Sequence, residues 1–277
     1  MRRQAPHPGA AAVRGGGRSG RATGRGLDGV IAILMRLLWP LINASQALFT
    51  VVWSALWIPI ALLSSLVARD RRVGLAFARR VWSPGILWAA ITRLEVEGSE
   101  RFAGGGPCFF VANHQSWLDV PALFVALRRP VLFVAKRELA RVPFMGRYIG
   151  AMGMVFIDRS HRQDSARSVG QATERLRQGW SVVSFPEGTR SRDLQVHAFK
   201  TATFAAAIEA GVPVVPVAIE GAGRALPPEG WHPRPGRIRV LFGEPISTAG
   251  LDRADRAALA ERAEGEVRAL LARLRSE

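Results

Sequence analysis

Residues Pro107 to Asp119 read "PCFFVANHQSWLD". The first six, "PCFFVA", form an apolar run of the kind that makes a buried strand. Polar residues then arrive together: Asn113, His114, Gln115 and Ser116. Ser116 and Asp119 stand at the S-x-x-D spacing that closes a helix N-terminus. The stretch therefore predicts a strand, a tight turn and a helix. On a regular helix, residues five positions apart point about 140° away from each other. His114 and Asp119 can meet only if the histidine sits in the turn and the aspartate in the first helical turn. In that geometry the carboxylate orients the imidazole and the other ring nitrogen takes a proton. A plainer reading fits the same residues: Asp119 as an acid favoured at a helix start, His114 as a surface histidine.

The same alternation repeats outward from this unit. From Arg93 onward, candidate strands are "RLEVEG", "PCFFVAN", "PVLFVAK", "GMVFID", "SVVSF", "VPVVPVAI" and "RIRVLFG". Helical stretches fall between them, near residues 118–128, 139–150, 164–178 and 198–210. The C-terminal "LDRADRAALAERAEGEVRALLARLRSE" reads as an amphipathic helix, with Leu251, Ala254, Ala258, Val267, Leu270, Leu271 and Leu274 as its apolar face. The expected fold class is α/β: a mixed, largely parallel sheet flanked by helices.

Upstream the texture differs. Residues 1–26 are rich in glycine and arginine and hold no acidic residue, which predicts a disordered basic tail. Gly15 to Gly20 match G-x-G-x-x-G formally, but no strand precedes them, so no dinucleotide site is expected. Leu37 to Ala68 carry no charge and exceed the ~20 apolar residues of a membrane span. Pro40 and Pro59 interrupt that run, and "RDRR" (Arg69 to Arg72) follows it. A single span, a tight hairpin and a helix pair in one leaflet all fit, as does a buried helix of a soluble protein. "VWSPGILWAAI", Val81 to Ile91, is too short to span and suits packing against the first segment. The expected organisation is a basic tail over 1–26, a membrane-anchoring helical region over 27–92 and an α/β domain over 93–277.

Composition narrows the partners. The formal charge is +16, and Lys136 and Lys200 are the only lysines among 38 basic residues. Such a balance suits nucleic acid, an anionic membrane surface or a phosphorylated substrate. Cys108 is the only cysteine, so no internal disulfide and no cysteine metal site can form. It lies in the apolar run, a place for packing more than for reactivity. With no G-x-S-x-G present, the natural target of a histidine base is a substrate hydroxyl.

Two further clusters offer anion binding. "FPEGTRS", Phe185 to Ser191, follows a strand and combines Gly188 with Thr189, Arg190 and Ser191. An exposed polar turn would look similar. Lys136 and Arg159 bracket "KRELARVPFMGRYIGAMGMVFIDR" and converge on one phosphate if that segment folds back. The plainer reading is a surface lysine and an Arg159 paired with Asp158.

"NHQSWLD" resembles the N-H-x-x-x-x-D motif of the 1-acyl-sn-glycerol-3-phosphate acyltransferase family. "GMVFIDR", "FPEGTRS" and "VPVVPVAI" resemble that family's next three blocks, in its order, and Lys136, Leu139, Gly146 and Arg159 fit its K-x2-L-x6-G-x12-R register. The resemblance covers roughly residues 90 to 245 and implies His114 as general base and Asp119 as its orienter. It implies Lys136 and Arg159 on the acceptor phosphate, with Glu187, Gly188, Thr189 and Arg190 shaping the acceptor site. The implied partners are a lysophospholipid acceptor, an acyl-CoA or acyl carrier protein thioester and membrane lipid, with no nucleic acid, metal or prosthetic cofactor. The expected product is phosphatidic acid, made at the cytoplasmic face of a bacterial inner membrane. Another lysolipid acceptor such as lyso-ornithine lipid keeps the same mechanism. A metal-dependent hydrolase around His114, Asp119 and Glu187, and a silent lipid-binding protein, are the readings from other classes.

Overall fold

A computed structural model of the chain describes residues 22–157 and 162–277, with side chains over 38–157 and 166–277. The chain divides into two units, Met1–Ile42 and Asn43–Glu277. In the first, the described residues are helical from Ala22 on, so helix begins inside the stretch expected to be tail. The rest of the tail expectation, 1–21, lies outside the described residues.

Helix α1 (Ala22–Ala68) continues through both Pro40 and Pro59, and a 31-residue stretch of it, Leu38–Ala68, is long and apolar enough to cross a membrane. Neither proline ends the helix, so the apolar run is helical throughout, with no hairpin turn inside it. Short helices follow, α2 (Arg71–Phe77) and α3 (Ser83–Ala89), joined by a π-helical turn over Ala78–Trp82. They pack on the second unit's part of α1 through indole hydrogen bonds. Trp53 Nε1 donates to the Trp82 carbonyl at 3.2 Å, and Trp82 Nε1 donates to Ser54 Oγ at 3.0 Å. Ile58, Ala61, Leu75 and Leu87 join the same buried core as the sheet. The boundary expected at residue 92 falls inside the unit Asn43–Glu277.

The remaining elements alternate as expected. They are β1 (Thr92–Glu97), β2 (Phe109–Ala112), α4 (Asp119–Ala126), β3 (Val131–Lys136), α5 (Met145–Ala151), β4 (Val155–Ile157), α6 (Arg162–Arg177), β5 (Ser181–Ser184), α7 (Phe204–Ala210), β6 (Val214–Glu220), α8 (Ala222–Ala225), β7 (Gly236–Phe242) and α9 (Arg256–Ser276). The strands form one sheet in the order β1-β7-β6-β2-β5-β3-β4. Every neighbouring pair is parallel except β6 with β7. All residues of β2, β5 and β6 are buried, as strands covered on both faces must be.

Three helices differ from expectation. The one expected over 198–210 begins only at Phe204, behind a 3-10 turn over Thr201–Thr203. The helix expected over 139–150 splits into a 3-10 turn, Arg137–Arg141, and α5. Pro143 is the cause: it holds Val142 extended (φ −73°, ψ 124°), and Phe144 then takes φ 59°. In the C-terminal segment the helix starts only at Arg256, behind a capping box on Asp252. Ala254 and Ala258 are therefore exposed, and the buried face is Leu259, Ala260, Ala263, Val267, Leu271 and Leu274.

Candidate active site

Strands β2, β5, β3 and β4 lie side by side and parallel, so their carboxyl ends form a row. Ligands of open α/β sheets bind at such ends. His114 follows β2, Phe185 to Ser191 follow β5, Lys136 ends β3, and Ile157 ends β4 opposite Lys136. Arg159 stands two residues beyond Ile157 and lies outside the described residues.

Asn113 is fully buried and fixes the turn after β2. Its Nδ2 donates to the Ile219 carbonyl, and its Oδ1 accepts from the Ile219 N–H, both at 2.8 Å. The side chain thus adds one more ladder step between β2 and β6. Ser116 Oγ accepts from the Leu118 N–H at 3.1 Å, and the Asp119 carboxylate accepts from the Ser116 N–H at 2.8 Å. The Asp119 half matches the S-x-x-D expectation, but Ser116 Oγ serves the Leu118 N–H instead of that of Asp119, and α4 starts at Asp119 without a side-chain cap.

Asp119 is fully buried, and its Oδ2 is the hub of the turn. It is 2.7 Å from His114 Nδ1, 2.7 Å from the Gln115 N and 2.8 Å from the Ser116 N. Its Oδ2 accepts from two backbone N–H donors, so the third hydrogen bond runs from Nδ1–H of His114 to the same oxygen and leaves Nε2 as the acceptor nitrogen. Phe185 stacks on the imidazole with ring centroids 4.1 Å apart and planes 18° apart. The arrangement can withdraw a proton from a hydroxyl and stabilise the imidazolium that results.

The FPEGTRS loop grips the histidine's backbone at both ends. Glu187 Oε1 accepts from the His114 N–H at 2.8 Å, and the Ser191 N–H donates to the His114 carbonyl at 2.7 Å. Glu187 Oε2 accepts from the His197 N–H at 3.1 Å. Burial pushes the Glu187 carboxyl up to about 7, against those backbone donors, which pull it down. Glu187 is buried and outside the cavity lining; it shapes the site from behind.

His114 lies on the wall of a cavity of about 580 Å³. The lining is mostly apolar: Trp57, Ile58 and Ala61 of α1 face Phe124, Phe133 and Ile149 of the α/β domain. Lys136, Gly188, Thr189 and Arg190 supply polar atoms to the same wall. Lys136 is exposed and pairs with Glu138 at 3.0 Å. Leu139 also lines the cavity, and a methyl group at Gly146 would collide with the Ala140 carbonyl. Both positions of that sequence pattern therefore have a physical reason. Cys108 is buried, with its thiol pushed up by burial. Among the described residues, no group of three or more His, Cys, Asp or Glu is placed to hold a metal ion. Asn113, Phe185 and Trp117 carry parts of the site that motif reading did not assign.

Residues 93–220, which contain His114, Asp119, Lys136 and Phe185 to Ser191, match the family model described as Acyltransferase. A Pseudomonas aeruginosa protein named 1-acyl-sn-glycerol-3-phosphate acyltransferase is 34% identical over 250 residues, covering 88% of this chain and 93% of that protein. The chain belongs to the acyltransferase family. The crystal structure of the 1-acyl-sn-glycerophosphate (LPA) acyltransferase PlsC from Thermotoga maritima matches it with a TM-score of 0.76 at 28% identity, over 87% of this chain and 98% of that one. A chloroplastic 1-acyl-sn-glycerol-3-phosphate acyltransferase of Brassica napus is 34% identical over 168 residues, 58% of this chain. The acyltransferase spans 48% of that plant protein, about half its length. The fold shared with the Thermotoga protein is the one described above, with α1 as a candidate membrane anchor.

Proposed function

We propose that this acyltransferase moves a fatty acyl group from a thioester donor to the free sn-2 hydroxyl of 1-acyl-sn-glycerol-3-phosphate, giving phosphatidic acid. The observation that carries the reading is the 2.7 Å contact between His114 Nδ1 and Asp119 Oδ2 on the wall of a large apolar cavity. An acyl chain suits that cavity, and the Nδ1 contact with Asp119 leaves Nε2 of His114 as the nitrogen that can accept a proton.

His114 Nε2 takes the proton of the acceptor hydroxyl as its oxygen attacks the thioester carbonyl. The new C–O bond gives a tetrahedral intermediate, with Asp119 stabilising the imidazolium. The C–S bond then breaks, and the imidazolium returns its proton to the departing thiolate. Lys136 and Arg190 line the cavity and serve the acceptor phosphate, together with Arg159. The donor is acyl-CoA or acyl carrier protein, both of which place the reaction on the cytoplasmic face of a bacterial inner membrane, with α1 as anchor.

The test is purified full-length protein assayed on a panel of lysolipids with both donors. Transfer to 1-acyl-sn-glycerol-3-phosphate is expected to exceed transfer to lyso-ornithine lipid, which has no phosphate. His114→Ala is expected to abolish transfer while leaving the protein folded; full activity in that variant would overturn the mechanism. Arg159→Ala is expected to raise KM for the acceptor and not for the donor.

A further inference from the structure

Trp117 stands inside the N-H-x-x-x-x-D stretch at one of its unspecified positions. It is 52% exposed, yet it lies on the cavity wall beside His114 and Arg190. The Arg190 guanidinium carbon sits over its ring, 4.7 Å from the centroid. The other arginine–aromatic stacks among the described residues are at 5.5–5.6 Å. Arg190 Nη1 is buried and has no hydrogen-bond partner, and the same is true of Asp119 Oδ1. Burial pushes the guanidinium pKa down, and the charge of Asp119 pushes it up.

A guanidinium and a carboxylate sharing one site, each with an unsatisfied buried atom, are expected to close on each other as a bidentate pair. They do not: every donor to Asp119 comes from His114, Gln115 or Ser116. What holds the guanidinium is the indole face, a cation–π contact that strengthens as it is desolvated.

We propose that Trp117 is a positioning residue, whose ring holds the Arg190 guanidinium off Asp119 and keeps it as the donor for the acceptor's phosphate group. The proposal rests on the acyltransferase reading above. Without the ring, Arg190 falls onto Asp119 Oδ1. The phosphate loses a donor, and Asp119 shares its charge with two cations. The ionisable groups around His114 are Asp119 on α4, Glu187 and Arg190 after β5, and Lys136 and Glu138 along the cavity wall. The substitution frees Arg190 alone. Asp119 then holds His114 less firmly, and kcat falls with the loss of acceptor binding.

The experiment compares Trp117→Ala, Trp117→Phe and the double variant Trp117→Ala/Arg190→Gln in the full-length protein. Trp117→Ala is expected to raise the acceptor KM roughly 10-fold and leave the donor KM unchanged. Trp117→Phe restores most of the acceptor KM, because it keeps an aromatic face. In the Arg190→Gln background, Trp117→Ala adds no further change in acceptor KM. A fall in kcat with both KM values unmoved overturns the proposal, as does additivity in the double variant. If the unmodified protein shows no acyl transfer, the functional reading has failed separately. Calorimetry with inorganic phosphate then decides: weaker binding by Trp117→Ala supports the stack, and equal binding overturns it.

Discussion

Glu187 binds the backbone N–H of His114 with one carboxylate oxygen and that of His197 with the other. The loop carrying His114 and the loop after β5 are thus held by one side chain that never reaches the cavity. A glutamine has a single acceptor oxygen, so its amide group would face one of the two N–H donors. Glu187→Gln is expected to cost about 100-fold in kcat by displacing His114, with a smaller change in KM. Steady-state kinetics on folded protein check it.

The same carboxyl makes stability depend on pH. Its value is raised from 4.5 to about 7, so the folded protein holds this proton more tightly than the unfolded chain does. The resulting stabilisation is complete below 4.5 and is lost as pH rises through about 7. Melting temperatures of the unmodified protein and Glu187→Gln, measured as a pH series, are expected to differ by an amount that changes across this window. The unmodified protein loses ground as pH increases. A constant difference from pH 4 to 8 would refute this assignment.

Asp119→Asn replaces an oxygen that accepts three hydrogen bonds. If the amide nitrogen faces the turn, it opposes two backbone donors; if its oxygen does, the charge that stabilises the imidazolium is still gone. The expected loss is about 10^3-fold or more in kcat, with acceptor KM little changed. Kinetics and a thermal melt separate this from unfolding.

Gly188 has φ +80°, and a Cβ there would lie 2.7 Å from Lys200 Nζ. Lys200 can swing away, but the backbone conformation cannot be relieved. Gly188→Ala is expected to lower stability by roughly 1–2 kcal/mol and to raise acceptor KM, because Thr189 and Arg190 follow directly. Denaturant melts and kinetics of the purified variant measure both.

Asn113→Ala removes both hydrogen bonds to Ile219 and leaves its buried N–H and carbonyl unmatched. A loss of about 2–4 kcal/mol is expected, visible in denaturant unfolding, together with a fall in kcat as the turn loosens.

The strands and their parallel sense were legible because each is a short apolar run followed by a helical stretch. The S-x-x-D spacing foretold the turn that brings His114 to Asp119. The order β2-β5-β3-β4 was not legible, because alternation states that crossovers occur and not which neighbour each strand finds. That order is why four distant motifs share one edge. The role of Glu187 was hidden for a related reason: its partners are backbone N–H groups, which every residue carries. The split of the 139–150 helix was readable at Pro143, whereas the start of α9 depended on a capping box at Asp252 that masked the true apolar face. Arg159, read as a phosphate ligand, lies outside the described residues.

Trp57, Ile58 and Ala61 belong to the long apolar helix α1 and also form one wall of the chamber that holds His114. Deleting α1 to obtain a soluble enzyme would therefore open the reaction chamber on one side and admit water to the thioester. Solubility has to be engineered on the helix's outer residues, such as Leu48, Val52 and Leu63, which are exposed and can be exchanged without breaching the wall.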